Sequence, residues 1–340
     1  MARRALILVE ASTTNGLLYV QAAQRLGLHP ITLAADPTQY DYLAAEIMEA
    51  IRVDTHNFDA LTRVCSRLRA AYDIAGMTGF TGLNESLYVA VAKPCRQFHL
   101  PGPDPASIER CSDKLTQRQS LAQAGVPVPA YRLGENAMEV KNSAAQMGLP
   151  VVLKPAEGSG SSGVRLCRNA DELAKHATYL VGGTYEWQSS PKILIEGFEQ
   201  GPFSEAIKLR YSVVAVGAAD FNRPPHFVPC KSTFPSPLSD TEQERIADVS
   251  LSCLRALGLG WGPANIELSW MNRGPVVIEV NARLQRWTTP QLVQLPYDRY
   301  NQRAHQACHR RRTRSPPEAL STSAARMRVL HRPDFANRRF

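Results

Sequence analysis

The feature that most limits what this chain can fold into is Gly158-Ser159-Gly160-Ser161-Ser162-Gly163, because of what stands on either side of it. The six residues match G-x-G-x-x-G, but a dinucleotide fingerprint must leave a strand and open a helix. Here residues 150–154 read as a strand before the loop and 164–167 as a strand after it. The loop is therefore a hairpin with no helix N-terminus behind it. A protein-kinase glycine loop is also a hairpin, but its lysine lies on a later strand, whereas Lys154 precedes the loop. A glycine hairpin with a lysine at the end of its first strand can fold over a triphosphate, offering backbone N–H groups while the ammonium meets phosphate oxygens. An exposed turn beside an unrelated lysine is the other reading of the same residues.

A second hairpin favours the phosphate reading. Residues 264–270 and 275–280 form two strands joined by Met271-Asn272-Arg273-Gly274. They carry Glu267 and Glu279 on adjacent strands, and Asn281 lies two residues further along on the same face. Two carboxylates and an amide oxygen suit Mg²⁺ shared with substrate phosphates, since Mg²⁺ keeps waters and takes few protein ligands. Arg283, again two residues on, can meet a transferring phosphoryl group or an acyl phosphate. A solvated face of alternating polar residues is the alternative, and the apolar run around Glu279 speaks against it.

The rest of the chain organises around these hairpins. Strands at 6–9 and 29–34, helices at 17–26, 59–71 and 83–95, and a strand end at 74–79 give an open, mainly parallel α/β lobe. Ligands of such lobes sit beyond the carboxyl ends of the strands, which singles out residues 10–16 and 78–85. A proline-rich linker leads to one helix at 107–124, stopped by Gly125-Val126-Pro127. Further on, a helix is expected at 171–180, strands at 193–196 and 212–216, and a long amphipathic helix at 240–257. The expected domains are an N-terminal lobe over 1–104, a unit over 105–295 divided at 196/197, and an atypical tail over 296–340.

Charge and cysteines bound the partners. Residues 285–340 hold twelve arginines against three acids, an excess larger than the chain's formal +8, so residues 1–284 are near −1. The basicity belongs to a tail without lysine or glycine, which reads as disordered or altered sequence, and nucleic acid is not an expected partner. The seven scattered cysteines contain no Cys-x-x-Cys pair, and reduced thiols of the cytoplasm are the expectation. His305, Cys308 and His309 supply too few donors for a metal site. The apolar start at 5–9 is too short for a signal-peptide core, and no apolar run approaches the roughly 18 residues of a membrane span.

In this order, Asp113-Lys114, Gly125-Val126-Pro127-Val128-Pro129, Val152-Leu153-Lys154-Pro155 with its glycine loop, Ile195-Glu196 and Ile278-Glu279-Val280-Asn281-Ala282-Arg283 resemble the ATP-grasp superfamily, the carboxylate–amine ligases that include amino-acid ligases and relatives of biotin carboxylase. The resemblance implies an α/β and α+β ATP-grasp fold behind a Rossmann-like lobe. It implies that Lys114, Lys154 and Gly158, Ser159, Gly160, Ser161, Ser162 and Gly163 bind ATP, with Glu196 in the hinge beside the adenine. Glu267, Glu279 and Asn281 match magnesium ligands, with Mn²⁺ able to replace Mg²⁺, and Arg283 matches a residue that steadies an acyl phosphate. The implied partners are a small carboxylic acid and an amine or amino acid, with a homodimer admitted and no membrane.

Two departures temper these implications. Where amino-acid ligases of this type often carry a Glu and a His for the amino substrate, this chain reads Phe227-Val228-Pro229-Cys230-Lys231-Ser232. A preference for an acidic substrate and a solvated loop lysine are the two readings of Lys231, and Glu205 stands near a position that in the family faces the nucleotide. After Arg283 the chain runs Leu284-Gln285-Arg286-Trp287 in place of the usual glycine-containing loop. The expected function is an ATP-dependent ligase working through an acyl phosphate. The alternatives are a catalytically weak ATP-binding protein and an enzyme with a non-amine acceptor.

Overall fold

A computed structural model describes residues 2–10, 16–45, 48–79, 86–156, 161–182, 192–198, 201–209, 212–221, 227, 229–283 and 327–330. The first lobe alternates β1 (Arg3–Val9), α1 (Gly16–Arg25), β2 (His29–Ala34), α2 (Asp41–Ala45), β3 (Glu49–Arg52), α3 (Phe58–Ala71), β4 (Tyr72–Thr78) and α4 (Ser86–Gln97). Its strands are parallel in the order β3-β2-β1-β4. The run from Ala5 to Val9 is buried because helices and neighbouring strands enclose a central parallel strand on every side. Gly27 closes α1 with a φ of 70°, a conformation that costs glycine little.

At the carboxyl end of this sheet Glu10, itself at φ 54°, serves the fold. Its carboxylate accepts from the Ala35 N–H at 2.8 Å and from the hydroxyls of Tyr40 and Thr55, both at 2.7 Å, tying together the ends of three strands. The loop residues 11–15 and 80–85 singled out from the sequence lie outside the described residues.

The linker segment departs from expectation. In place of one helix over 107–124 there are α5 (Pro105–Ser112) and α6 (Lys114–Gln123), broken at Asp113. Asp113 adopts extended backbone, and its carboxylate takes the Thr116 N–H at 2.5 Å as the N-cap of α6. The break also frees the Lys114 N–H to bond the Ala156 carbonyl at 3.0 Å, fixing α6 against the strand that bears Lys154.

A small lobe follows, made of β5 (Tyr131–Gly134), α7 (Ala137–Met147), β6 (Val151–Pro155), β7 (Arg165–Cys167), α8 (Ala170–Gly182) and β8 (Ile193–Gly197). Its antiparallel sheet runs β5-β8-β6-β7 and packs on α7 and α8 through a core that includes Val140, Leu153, Leu173 and Ile195. The β6–β7 pairing makes the glycine segment a hairpin connection, as the flanking residues predict.

The large sheet contains β9 (Phe203–Leu209), β10 (Ser212–Phe221), β11 (Pro229–Phe234), β12 (Pro263–Met271), β13 (Gly274–Asn281) and β14 (Met327–Leu330), with α9 (Asp240–Leu257) packed on β9, β10 and β13. The order is β13-β12-β9-β10-β11-β14, antiparallel throughout. A Ser239–Glu242 capping box opens α9, and Gly258 at φ 71° ends it. Of the tail read as disordered or altered, residues 327–330 form β14 and pair with β11, and the remainder lies outside the described residues. β3, β5, β9, β11, α2 and α7 were not expected from the sequence. Among the described residues no helix is long and apolar enough to cross a membrane.

Candidate functional site

Residues of the small and large sheets line one cleft. Its polar wall comprises Lys114, Lys154, Ser161, Ser162, Glu196, Glu267 and Glu279. Its apolar lining includes Val152, Ile278, Met271 and the phenylalanines Phe198, Phe203, Phe221 and Phe227. Phe203 and Phe221 lie 4.6 Å apart between ring centroids and tilted, and Phe198 and Phe227 lie 6.1 Å apart. Such a surface suits a flat, aromatic ligand group.

Strand register assembles the acidic residues. Glu267 stands opposite Glu279, and Asn265 opposite Asn281. The register then shifts so that Leu268 meets Val277, leaving Ile278 as an extra residue on β13. Such a bulge lets consecutive residues turn to one side, and Ile278 and Glu279 both line the cleft. Glu205 on β9 continues the row, in register with Glu267.

α6 supplies the cations Lys114 and Arg118, and β6 supplies Lys154. Lys114 Nζ lies 3.1 Å from Glu279 Oε1. Across the cleft Lys154 Nζ lies 2.5 Å from Glu196 Oε2, and Arg118 Nε lies 2.5 Å from Glu196 Oε1. Arg118 also donates through Nη2 to the Ile278 carbonyl. Gln117 donates to the carbonyls of Cys111 and Val280 and accepts from the Val280 N–H, each at 2.9 Å.

These contacts govern ionisation. Burial pushes Lys154 below the usual lysine range, the Arg118 charge adds to this, and Glu196 opposes it. Burial would raise Glu196 and Glu279, but their cationic neighbours prevail. Arg118 and Lys154 hold Glu196 below the usual carboxylate range, and Lys114 followed by Lys154 does the same for Glu279.

The donor set fits a hard divalent cation. Among the described residues no three His, Cys, Asp or Glu side chains form a metal cluster. A metal here would therefore rest on Glu267, Glu279, an amide oxygen and oxygens of the ligand itself, a division that suits Mg²⁺ or Mn²⁺. Asn265 Oδ1, buried beside Asn281, has no hydrogen-bond partner among the described residues.

The expected site residues do not all converge. Lys114, Lys154, Ser161, Ser162, Glu196, Glu267 and Glu279 share the cleft. The Glu196 carboxylate is committed to Arg118 and Lys154, and its backbone stands opposite Tyr131 on β5 and Val152 on β6. Asn281 and Arg283 are buried and do not line the cleft; Arg283 Nη2 donates to Asn281 Oδ1 at 3.3 Å. Gly163, at φ 72°, ends the loop with its carbonyl 2.7 Å from His176 Nε2. Gly158, Ser159 and Gly160 lie outside the described residues, as do the side chains of Glu205 and Lys231; the Lys231 backbone stands opposite Asp220. Sequence reasoning missed Gln117, Arg118 and the phenylalanines. The i, i+4 spacing of Lys114 and Arg118 on one helix face was the available signal for Arg118.

Comparison with known proteins gives the geometry its relatives. A family model described as "Carbamoyl-phosphate synthase L chain, ATP binding domain" matches residues 113–289. An uncharacterized protein of Sinorhizobium fredii, y4rH, is 57% identical over 296 residues, 87% of this chain and 61% of that protein. Human carnosine synthase 1 is 24% identical over 305 residues, 84% of this chain and 37% of that protein. The chain thus spans less than two thirds of the length of either relative. Among solved structures, L-amino acid ligase from Bacillus licheniformis superposes with a TM-score of 0.71 at 20% identity, covering 91% of this chain and 75% of that one. Biotin carboxylase from Campylobacter jejuni, in a β,γ-ATP complex, gives 0.72 at 19% identity, covering 95% and 74%.

Proposed function

The chain belongs to the family of the carbamoyl-phosphate synthase L chain ATP-binding domain, an ATP-grasp family, and from that premise we propose that it is a carboxylate–amine ligase. In this reading it forms an amide or peptide bond on a small metabolite, with ATP converted to ADP and phosphate. The observation that carries the reading is the convergence of Lys114, Lys154, Glu267 and Glu279 on one cleft that four phenylalanines also line.

Lys114 and Lys154 bind and orient the phosphates, the Ser161–Ser162 turn covers them, and Glu267 with Glu279, assisted by Asn281, holds Mg²⁺ or Mn²⁺. When bound, the metal supplies charge neutralisation to the phosphoryl oxygens. A carboxylate oxygen of the acid attacks the γ-phosphorus, the bond to the β–γ bridging oxygen breaks, and ADP leaves. The amine nitrogen then attacks the acyl carbon, inorganic phosphate departs, and the amine loses a proton. Such chemistry rests on positioning and electrostatics and needs no protein nucleophile. Arg283, which the resemblance assigns to the acyl phosphate, is held on Asn281 outside the cleft lining and would have to leave that contact to reach it, and Glu205 and Lys231 are assigned to the substrate side. A homodimer working in the cytoplasm fits this reading.

ADP release measured across a panel of carboxylic acids and amines, beside direct MgATP binding, tests the proposal. Acid-dependent ADP release with an amide product supports ligation. MgATP binding with no acid-dependent turnover refutes it in favour of a nucleotide-binding protein, and release with an acid but no amine requirement points to a non-amine acceptor.

A further inference from the structure

Resting on the nucleotide-site reading above, we infer that Arg118 is a positioning residue whose charge allows Lys154 to leave Glu196 for a phosphate. Glu196 is 3% exposed and holds two cations at once, Arg118 on Oε1 and Lys154 on Oε2, both at 2.5 Å. The two are not equivalent. Lys154 lines the cleft, on a flexible stem that can turn toward a ligand. Arg118 is 1% exposed, does not line the cleft, and is fastened by a second bond to the Ile278 carbonyl.

An ammonium whose buried carboxylate has no other partner cannot be transferred to a phosphate without stranding that carboxylate, and an uncompensated buried charge is heavily penalised. Arg118 removes this obstacle, because its guanidinium stays charged and keeps Glu196 paired after Lys154 has moved. It also repels Lys154 directly. The geometry is rigid, since Arg118 joins β8 to β13 immediately before Glu279 and lies one helical turn after Lys114. One turn of α6 thus presents Lys114 to the acidic strand and Arg118 to the counter-ion of the other lysine.

A double-mutant cycle on the full chain, read as MgATP affinity by calorimetry, tests this. Arg118→Gln leaves Lys154 as the sole partner of Glu196 and is expected to weaken MgATP binding by about ten-fold. Adding Glu196→Gln removes the competing carboxylate and is expected to restore affinity to within about three-fold of the Glu196→Gln single variant. Arg118→Lys, which keeps the charge, is expected to retain most of the affinity. A purely structural arginine predicts additive losses with no restoration, and that result overturns the inference, as does unchanged affinity in Arg118→Gln. Should the single variant fail to fold, the double variant is compared with Glu196→Gln alone: equal affinities support the inference, and a gap of about ten-fold overturns it. A wild-type chain that binds no MgATP would overturn the nucleotide site itself, together with this inference, whereas wild-type binding with additive losses overturns the inference alone.

Discussion

Replacing Gln117 with Met tests whether α6 holds the acidic strand in place. β13 is an edge strand of the large sheet, so one row of its backbone groups has no neighbouring strand among the described residues. The fold covers that row with other partners. The Val277 N–H bonds the Pro127 carbonyl at 2.9 Å, the Ile278 carbonyl takes Arg118, and Val280 exchanges two 2.9 Å bonds with Gln117. Gln117 is 1% exposed and also donates to the Cys111 carbonyl. Methionine nearly matches its length and volume but offers none of these bonds, so three buried backbone groups lose this partner. Each such group costs about 1–3 kcal/mol, and allowing for partial relaxation the loss is about 2–5 kcal/mol. Urea unfolding followed by tryptophan fluorescence should show a midpoint shift of that size at unchanged slope, with faster hydrogen exchange at the Val280 amide. Gln117→Glu should fare no better, because its second oxygen would face two carbonyls. A Gln117→Met variant within about 0.5 kcal/mol of wild type would refute the reasoning, since surface substitutions typically cost no more.

Two further outcomes follow from the site and its surroundings. Glu196 and Glu279 have folded-state pKa values below their ordinary 4.5, so the stability they contribute is present above pH 4.5 and lost as pH falls through the folded values. Acid titration of Glu279→Gln should therefore show a flatter loss of stability below pH 4.5 than wild type, and an unchanged acid limb would remove Glu279 from the account. At Gly201 a Cβ would stand 2.0 Å from the Trp270 carbonyl oxygen, a main-chain atom that cannot swing aside. Gly201→Ala should cost about 1–3 kcal/mol in urea unfolding, and a neutral result would show that β9 and β12 approach less closely.

What the sequence made legible was local. The acidic hairpin is a contiguous segment whose period-two alternation already puts Glu279 and Asn281 on one face, and its turn is marked by Gly274. The helix at 240–257 matched its observed bounds because Ser239, Glu242 and Gly258 mark both ends. The break at Asp113 was not legible, since the apolar pattern runs straight across it. Only the tertiary bond from Lys114 to Ala156 rewards breaking the helix there. β9 and β11 escaped notice for a related reason, because their pairing partners, not their own composition, define them.

Lys154 could be named from sequence because it stands directly before a glycine loop, whereas Lys114 was reached only through the resemblance carried by Asp113-Lys114. Their counter-ions could not be named from sequence. The Arg118–Glu196 pair joins residues 78 apart in the chain, on elements that meet only when the small sheet docks on α6. That pairing changes how the cleft must work. Both lysines already have carboxylate partners, Glu279 for Lys114 and Glu196 for Lys154, so under the proposed function a polyphosphate would bind by exchange and not by filling a bare cationic pocket. Exchange is cheap only where each released carboxylate keeps a cation. For Glu196 the fold supplies Arg118, and for Glu279 the incoming divalent metal can take that place. The two halves of the site are thereby unequal: one is compensated by the protein alone, and the other is completed by its ligand.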